Sequence, residues 1–473
     1  MRYRAKMQNF NFRRIIQLLT ITAAQLLIVM NNAMMNIALP LIQESLRISD
    51  GARQWGITVY LLMFGSLLLP AGRVVDRIGR RRAFIVGLAG TAASSAVAGT
   101  SVSSVMFFVA RGAQGASAAL VAPAALALIS VCFHDPTYRQ KAVALYGAVT
   151  GVGSAAGLVV GGLLSDLLSW RWALFLSIPV SCISIWAAVK YVPESRSSIK
   201  LKYHPINAIV VTGGIAALIM SLTLSAQRGW LDAVTLATFF SGISLIIIFA
   251  ITQKGPDALV PPRLLADSLR VIGLLTVAIG ALALAGVFVL LSYYMQRILS
   301  MSPLRAAMAT APFALGMFCS SQLAGQIPVS LDRIKIIAAG FTVSAVSLVP
   351  LCFINEQTSY WRVILPCLLG LSAGIGPAFV SGTTAAIGIA AEHCHGEAGV
   401  IGALASSASE IGSAIGVALL NTIAVAATKN STQPGSEVSG YATAFIVSAT
   451  ILIVGSGLIL ILGTASKRHR NLG

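Results

Sequence analysis

Apolar residues in this chain do not alternate with polar ones; they come in runs of about twenty, divided by short polar connections. A run of that length, coiled as a helix, crosses a hydrocarbon core of about 30 Å, whereas a membrane barrel strand needs only about ten residues of alternating polarity. Spans are therefore predicted at 15–39, 54–72, 83–102, 104–130, 142–165 and 172–192, then 206–226 and 233–252. Six more are predicted at 271–291, 304–327, 334–354, 363–387, 398–426 and 441–463. The expected fold is an all-α polytopic membrane protein of fourteen helices in a six, two, six order. It divides into a segment 1–14, a six-helix bundle 15–192, two inserted helices 206–252, a second bundle 270–463 and a basic tail 464–473.

Two features extend this pattern. The connections are short, so none can hold a soluble catalytic domain. The end of the second span, LLMFGSLLLPAGRVVDRI, is echoed at the tenth by ALGMFCSSQLAGQIPVSLDRI; both run Met-Phe, Ala-Gly, Asp-Arg-Ile. Two related halves around a central site are a common transporter plan, with substrate bound near the bilayer midplane.

Composition fixes the solvent. With 56% hydrophobic and 10% charged residues and a mean hydropathy of +0.84, a water-soluble globule would lack polar surface. The net charge of +18 does not point to a nucleic-acid partner, because the basic residues sit in the connections and not on one polar domain. With the N-terminus in the cytoplasm, 24 of the 33 Lys and Arg lie on the cytoplasmic side, 8 outside and Arg111 within a span. That bias expects both termini in the cytoplasm. The basic opening stretch is followed by an apolar run about twice the length of a signal-peptide core, so it is expected to stay as the first helix. Six cysteines without paired spacing imply neither a disulfide framework nor a zinc ribbon.

The connection between the second and third spans reads Gly72-Arg73-Val74-Val75-Asp76-Arg77-Ile78-Gly79-Arg80-Arg81-Arg82. Gly72 and Gly79 would permit close backbone approach, and Asp76 could cap a helix or pair with Arg77 or Arg80, making a latch that favours one conformation. In span four, Arg111-Gly112-Ala113-Gln114-Gly115 places an arginine in the bilayer, where it should face the bundle interior and a partner; snorkelling to the outer surface is the alternative. Span five, GAVTGVGSAAGLVVGG, sets Gly153, Gly157 and Gly161 on one ridge with Gly162 beside it, a pattern that lets helices pack closely and slide.

The first two motifs resemble the signature loop and the R-x-x-Q-G motif of the major facilitator superfamily. Gly157-Leu158-Val159-Val160-Gly161-Gly162 stands where its exporters usually carry G-P-x-x-G-G. Ser169-Trp170-Arg171-Trp172 with Ile178-Pro179, Gly229-Trp230, Tyr294-x-Gln296 and Ser302-Pro303-Leu304 are similar to the fourteen-helix drug:proton antiporters over nearly the whole chain. The resemblance implies an exporter of antibiotic-like amphiphilic or cationic small molecules in a bacterial inner membrane. It would work by alternating access, driven by the proton gradient without a cofactor, and as a monomer.

At the end of span one, Asn31 occupies the place of the family's usual membrane aspartate, and an amide carries no proton. Glu410 in span thirteen is the one carboxylate deep in a predicted span, and by helix rise it lies at a depth close to that of Asn31 and Arg111. Glu410 is thus the expected proton carrier, with Arg111, Asn31 and Gln114 as its companions at the cavity; a structural ion pair is the plainer reading. An endogenous metabolite or natural product with different ion coupling is the alternative cargo. A membrane enzyme lacks any catalytic triad, metal or cofactor pattern. Glu392-His393-Cys394-His395 has weak spacing for a metal ion. Tyr60, Tyr146, Trp186, Phe288, Phe313 and Phe379 could line a cavity or simply pack.

Overall fold

A computed structural model describes residues 2–133, 135–195, 205–253, 258, 266–325, 332–387, 398–428 and 436–472. It is helical along its described length. The first half comprises α1 (Arg2–Ser45), α2 (Trp55–Ile78), α3 (Arg80–Gly99), α4 (Ser104–Cys132), α5 (Pro136–Leu167), α6 (Trp170–Phe175) and α7 (Ser177–Tyr191). Then come α8 (Pro205–Arg228) and α9 (Ala233–Thr252). The second half holds α10 (Ser268–Tyr293), α11 (Pro303–Gly325), α12 (Arg333–Leu348), α13 (Leu365–Ile387), α14 (Ala398–Thr428) and α15 (Ser436–Leu472).

Polar residues start the helices where the apolar runs begin. Ser103 accepts from the Met106 amide at the head of α4, and Asp232, Asp267 and Asp332 accept first-turn amides of α9, α10 and α12. Pro70 divides α2 into Trp55–Leu68 and Pro70–Ile78, bent by 60°. Span six is broken at Leu176 into α6 and α7, a division that the continuous apolar run 172–192 does not announce.

Ten described helices are long and apolar enough to cross a membrane, and the bent α2 makes an eleventh if taken as one span. The sequence predicts fourteen. The remaining three predicted spans fall on α5, α8 and α11. In α5 and α8 the described apolar stretches are Ala156–Leu167 and Ile206–Leu222, and α11 is diluted by Ser320, Ser321 and Gln322.

Each half is packed within itself, chiefly α1 on α5, α3 and α2 on α4, α10 on α14, and α13 between α11 and α12. The halves meet along α2 and α14 and along α5 and α11. α8 and α9 pack on each other, and α8 leans on both α2 and α14, outside that seam.

Candidate functional site

The first half is built around the side chain of Arg111, which is fully buried. Its Nε donates to the Gly56 carbonyl at 3.0 Å, and Nη1 donates to Asn31 Oδ1 at 2.8 Å and to Gln114 Oε1 at 2.5 Å. The guanidinium also lies 4.4 Å from the centre of the Tyr60 ring. The amides pass the network on: Asn31 Nδ2 donates to Ser177 Oγ at 2.8 Å and Gln114 Nε2 to Ser95 Oγ at 2.6 Å. Arg111 thereby ties α1, α2, α3, α4 and α7 together, and it does not snorkel. Its Nη2 has no hydrogen-bond partner among the described residues, and the groups that hold the buried cation there are all neutral.

Close approach makes this geometry possible. A Cβ at Gly115 would strike the backbone of Tyr60, so α4 meets α2 backbone to backbone beside the stacked ring. The ridge of α5 does the same against α1: Gly153 faces Leu26 and Val29, Gly157 faces Met30 and Ala33, and Gly161 faces Met34. Gly162 turns instead to Pro303, Leu304 and Ala307 of α11 in the other half. A small apolar cleft of about 70 Å³ lies between α1 and α6–α7, with Met30, Met34 and Val180 on its walls and Asn31 and Ser177 at its polar end.

Glu410 has no hydrogen bond to that network among the described residues, but it lies close enough to Tyr60 for the ring to feel both its charge and that of Arg111. It sits on α14 where that helix crosses α2, and a Cβ at Gly65 would meet the Glu410 Cβ at 2.8 Å. As a residue Glu410 is half-buried beside the seam. Helix α2 lies between the two charges: its Gly56 and Tyr60 hold Arg111, and its Gly65 meets Glu410.

At the opposite end of α2, Asp76 lies 3.7 Å from Arg80, one turn along. A second acidic group, absent from the motif itself, completes the arrangement there. Glu194, beyond α7, receives the Arg81 amide at 3.2 Å and lies 3.8 Å from both Arg81 and Arg82. Gly79 has φ 107°, in the left-handed region, and a Cβ there would run into the Glu194 carboxylate. The Arg80 amide donates to the Ser195 carbonyl at 2.9 Å, and Arg73 donates to the Ala258 carbonyl. Gly72, expected to allow a tight approach, has nothing among the described residues within 4 Å of where a Cβ would stand. Arg77 carries the last basic charge of α2. Only its sequence separation hid Glu194, since its partners lie 113 residues away.

Of the aromatic candidates, Tyr60 belongs to the Arg111 network. Tyr146 donates to Gln25 at 2.6 Å, and Phe288 and Phe313 stack edge-on at 4.5 Å between α10 and α11. Trp186 is exposed on the outer surface. The stretch 392–397 lies outside the described residues.

Two bundles of long apolar helices that meet along a seam are the architecture of a polytopic membrane protein. The model for the Major Facilitator Superfamily matches residues 21–417, and this chain belongs to that superfamily. It is similar to the puromycin resistance protein pur8 of Streptomyces alboniger, 35% identical over 95% of this chain and 91% of that protein. It is also similar to the cephamycin export protein CmcT of Amycolatopsis lactamdurans, 26% identical over 91% and 88% respectively. Its fold is shared by the POT family transporter PepTSo, with a TM-score of 0.70 at 15% identity, covering 96% of this chain and 98% of that one.

Proposed function

We propose that this chain exports amphiphilic or cationic antibiotic-like molecules across a bacterial inner membrane in exchange for protons, by alternating access. The observation that carries export is the similarity, over nearly the full length of both chains, to a puromycin resistance protein. We take the chain to have fourteen spans with both termini in the cytoplasm and to act as a monomer. Support for the count comes from α5, α8 and α11, which coincide with the three predicted spans beyond the apolar eleven.

In this mechanism Glu410 is the group that exchanges proton for cargo. It is the carboxylate on the α14 side of the seam, carried by a half-buried residue, where a cation and a proton would compete for the same oxygens. Arg111, Asn31 and Gln114 form the fixed polar centre of the first half, tying α1, α2, α3, α4 and α7 into one body because these five elements hang on one guanidinium. Asp76, Arg77, Gly79 and Arg80 act as the latch at the far end of α2, with Glu194 as its anchor. Gly153, Gly157 and Gly161 form the smooth face on which α5 moves against α1, and Gly162 the face it shows to α11.

A second reading, export of an endogenous natural product, is favoured by the similarity to CmcT, whose name states that it exports cephamycin. One experiment separates the two. Strains with and without the gene are compared over a panel of toxic amphiphiles, and purified protein in liposomes is tested for proton movement on adding each active compound. The drug exporter reading requires altered susceptibility together with substrate-driven proton flux; unaltered susceptibility across the panel would sink it.

A further inference from the structure

The two halves are joined by polar side chains at one end, that of the connection 46–54. Arg53 Nε donates to Asn421 Oδ1 of α14 at 2.6 Å. The Asn421 amide returns two bonds, to Gln54 Oε1 at 2.6 Å and to the Asp50 carbonyl at 3.2 Å. Asp50 Oδ1 lies 3.5 Å from Arg53 and 3.7 Å from Arg297, just past α10, and receives Gln43 Nε2 at 2.7 Å. The Arg53 guanidinium lies 4.2 Å from the Tyr293 ring centre and 5.9 Å from that of Tyr441. Gln296 donates to the Ile37 carbonyl at 3.1 Å, and Ser302 to Asp166 at 3.2 Å, at the same end of the bundle.

We propose that Arg53 and Asn421 are the gate of this transporter: their hydrogen bond holds the 46–54 end of the transport path shut, and cargo passes only when it breaks. The proposal rests on the alternating-access reading above and adds the residues that close one side. Three observations support a gate over a permanent brace. Arg53 is only 3% exposed, yet the one carboxylate paired with it among the described residues, Asp50, is 57% exposed, so the cation has given up hydration without gaining a buried counter-ion there. Desolvation offsets most of what such a contact gains, which leaves the closed state near balance with an open one. Next, the hydroxyl of the fully buried Tyr293 has no hydrogen-bond partner among the described residues, so closure leaves a polar group unsatisfied at the joint. Finally, the contacts are short hydrogen bonds between side chains of opposite halves, which can part as rigid bodies without unwinding either half.

Arg53 and Asn421 are positioning residues, and the test reads access and not only transport. In a cysteine-free background, Ser292→Cys places a thiol beneath the gate, where Ser292 is buried and accepts from Gln296 at 2.8 Å. Its reaction with a membrane-impermeant maleimide is timed in intact cells. With Arg53 present the reaction is expected to be slow. Arg53→Ala and, independently, Asn421→Leu should each raise the rate about ten- to a hundredfold, as expected when a buried donor or acceptor loses its partner. Glu44→Ala, an exposed charge beside the gate, should leave the rate alone. Asn421→Leu keeps the branched shape and heavy-atom count of the native side chain and keeps the test open if Arg53→Ala fails to accumulate. Rates unchanged in both gate variants overturn the proposal. Rates that rise only in inverted vesicles uphold the gate and overturn the proposed orientation of the chain.

Discussion

Asn31 accepts a 2.8 Å hydrogen bond from Arg111 across 80 residues of sequence, so the buried guanidinium is met on α1 by an amide and not by an acid. Replacing Asn31 with Leu removes an acceptor from Arg111 and a donor from Ser177 at once. A stability loss of about 1–3 kcal/mol per stranded group is expected, read as a lower melting temperature in detergent.

Asn31→Asp should behave differently. The carboxylate fits the same place and turns a dipole contact into an ion pair, so the fold is expected to persist. A titratable group then joins the network, and the pH profile of transport should change relative to the native chain. An unchanged profile would show that the Arg111 network stands apart from the proton step.

Arg111→Lys keeps the charge but not the fork. One ammonium cannot reach Gly56, Asn31 and Gln114 together while covering the Tyr60 ring. Transport is expected to fall by at least about tenfold, and a near-native rate would mean that charge alone matters at this position.

Glu410→Gln is nearly isosteric and cannot exchange a proton. Proton-driven efflux should disappear while the protein stays in the membrane at normal levels, measured by quantitative blotting beside a transport assay. Efflux that continues at the native rate would remove Glu410 from the mechanism.

The glycines should sort by what surrounds them. Gly161→Val would drive a side chain into the Met34 backbone, and the chain is expected not to accumulate. Gly72→Ala meets nothing among the described residues within 4 Å and should fold normally. Glu194→Ala should cost little stability, about 1 kcal/mol, because its ion pairs are partly solvated; its effect should appear in transport rate, if the latch works as proposed.

The sequence by itself determined the solvent, the helical class and the order of the spans, because apolar run length is a local property that the bilayer reads directly. It also marked Arg111, Gln114, Asn31 and Glu410, since a polar side chain within an apolar run is conspicuous without any structure. It did not reveal what those groups touch. That Arg111 binds Asn31 while Glu410 lies across α2, that Glu194 anchors the arginine loop, that span six breaks at Leu176, and that Arg53 meets Asn421 across 368 residues were decided by helix packing. Side-chain partners between distant helices depend on rotation and crossing of each helix about its neighbours. A hydrophobic run that is apolar on nearly every face carries no periodicity from which that rotation could be read.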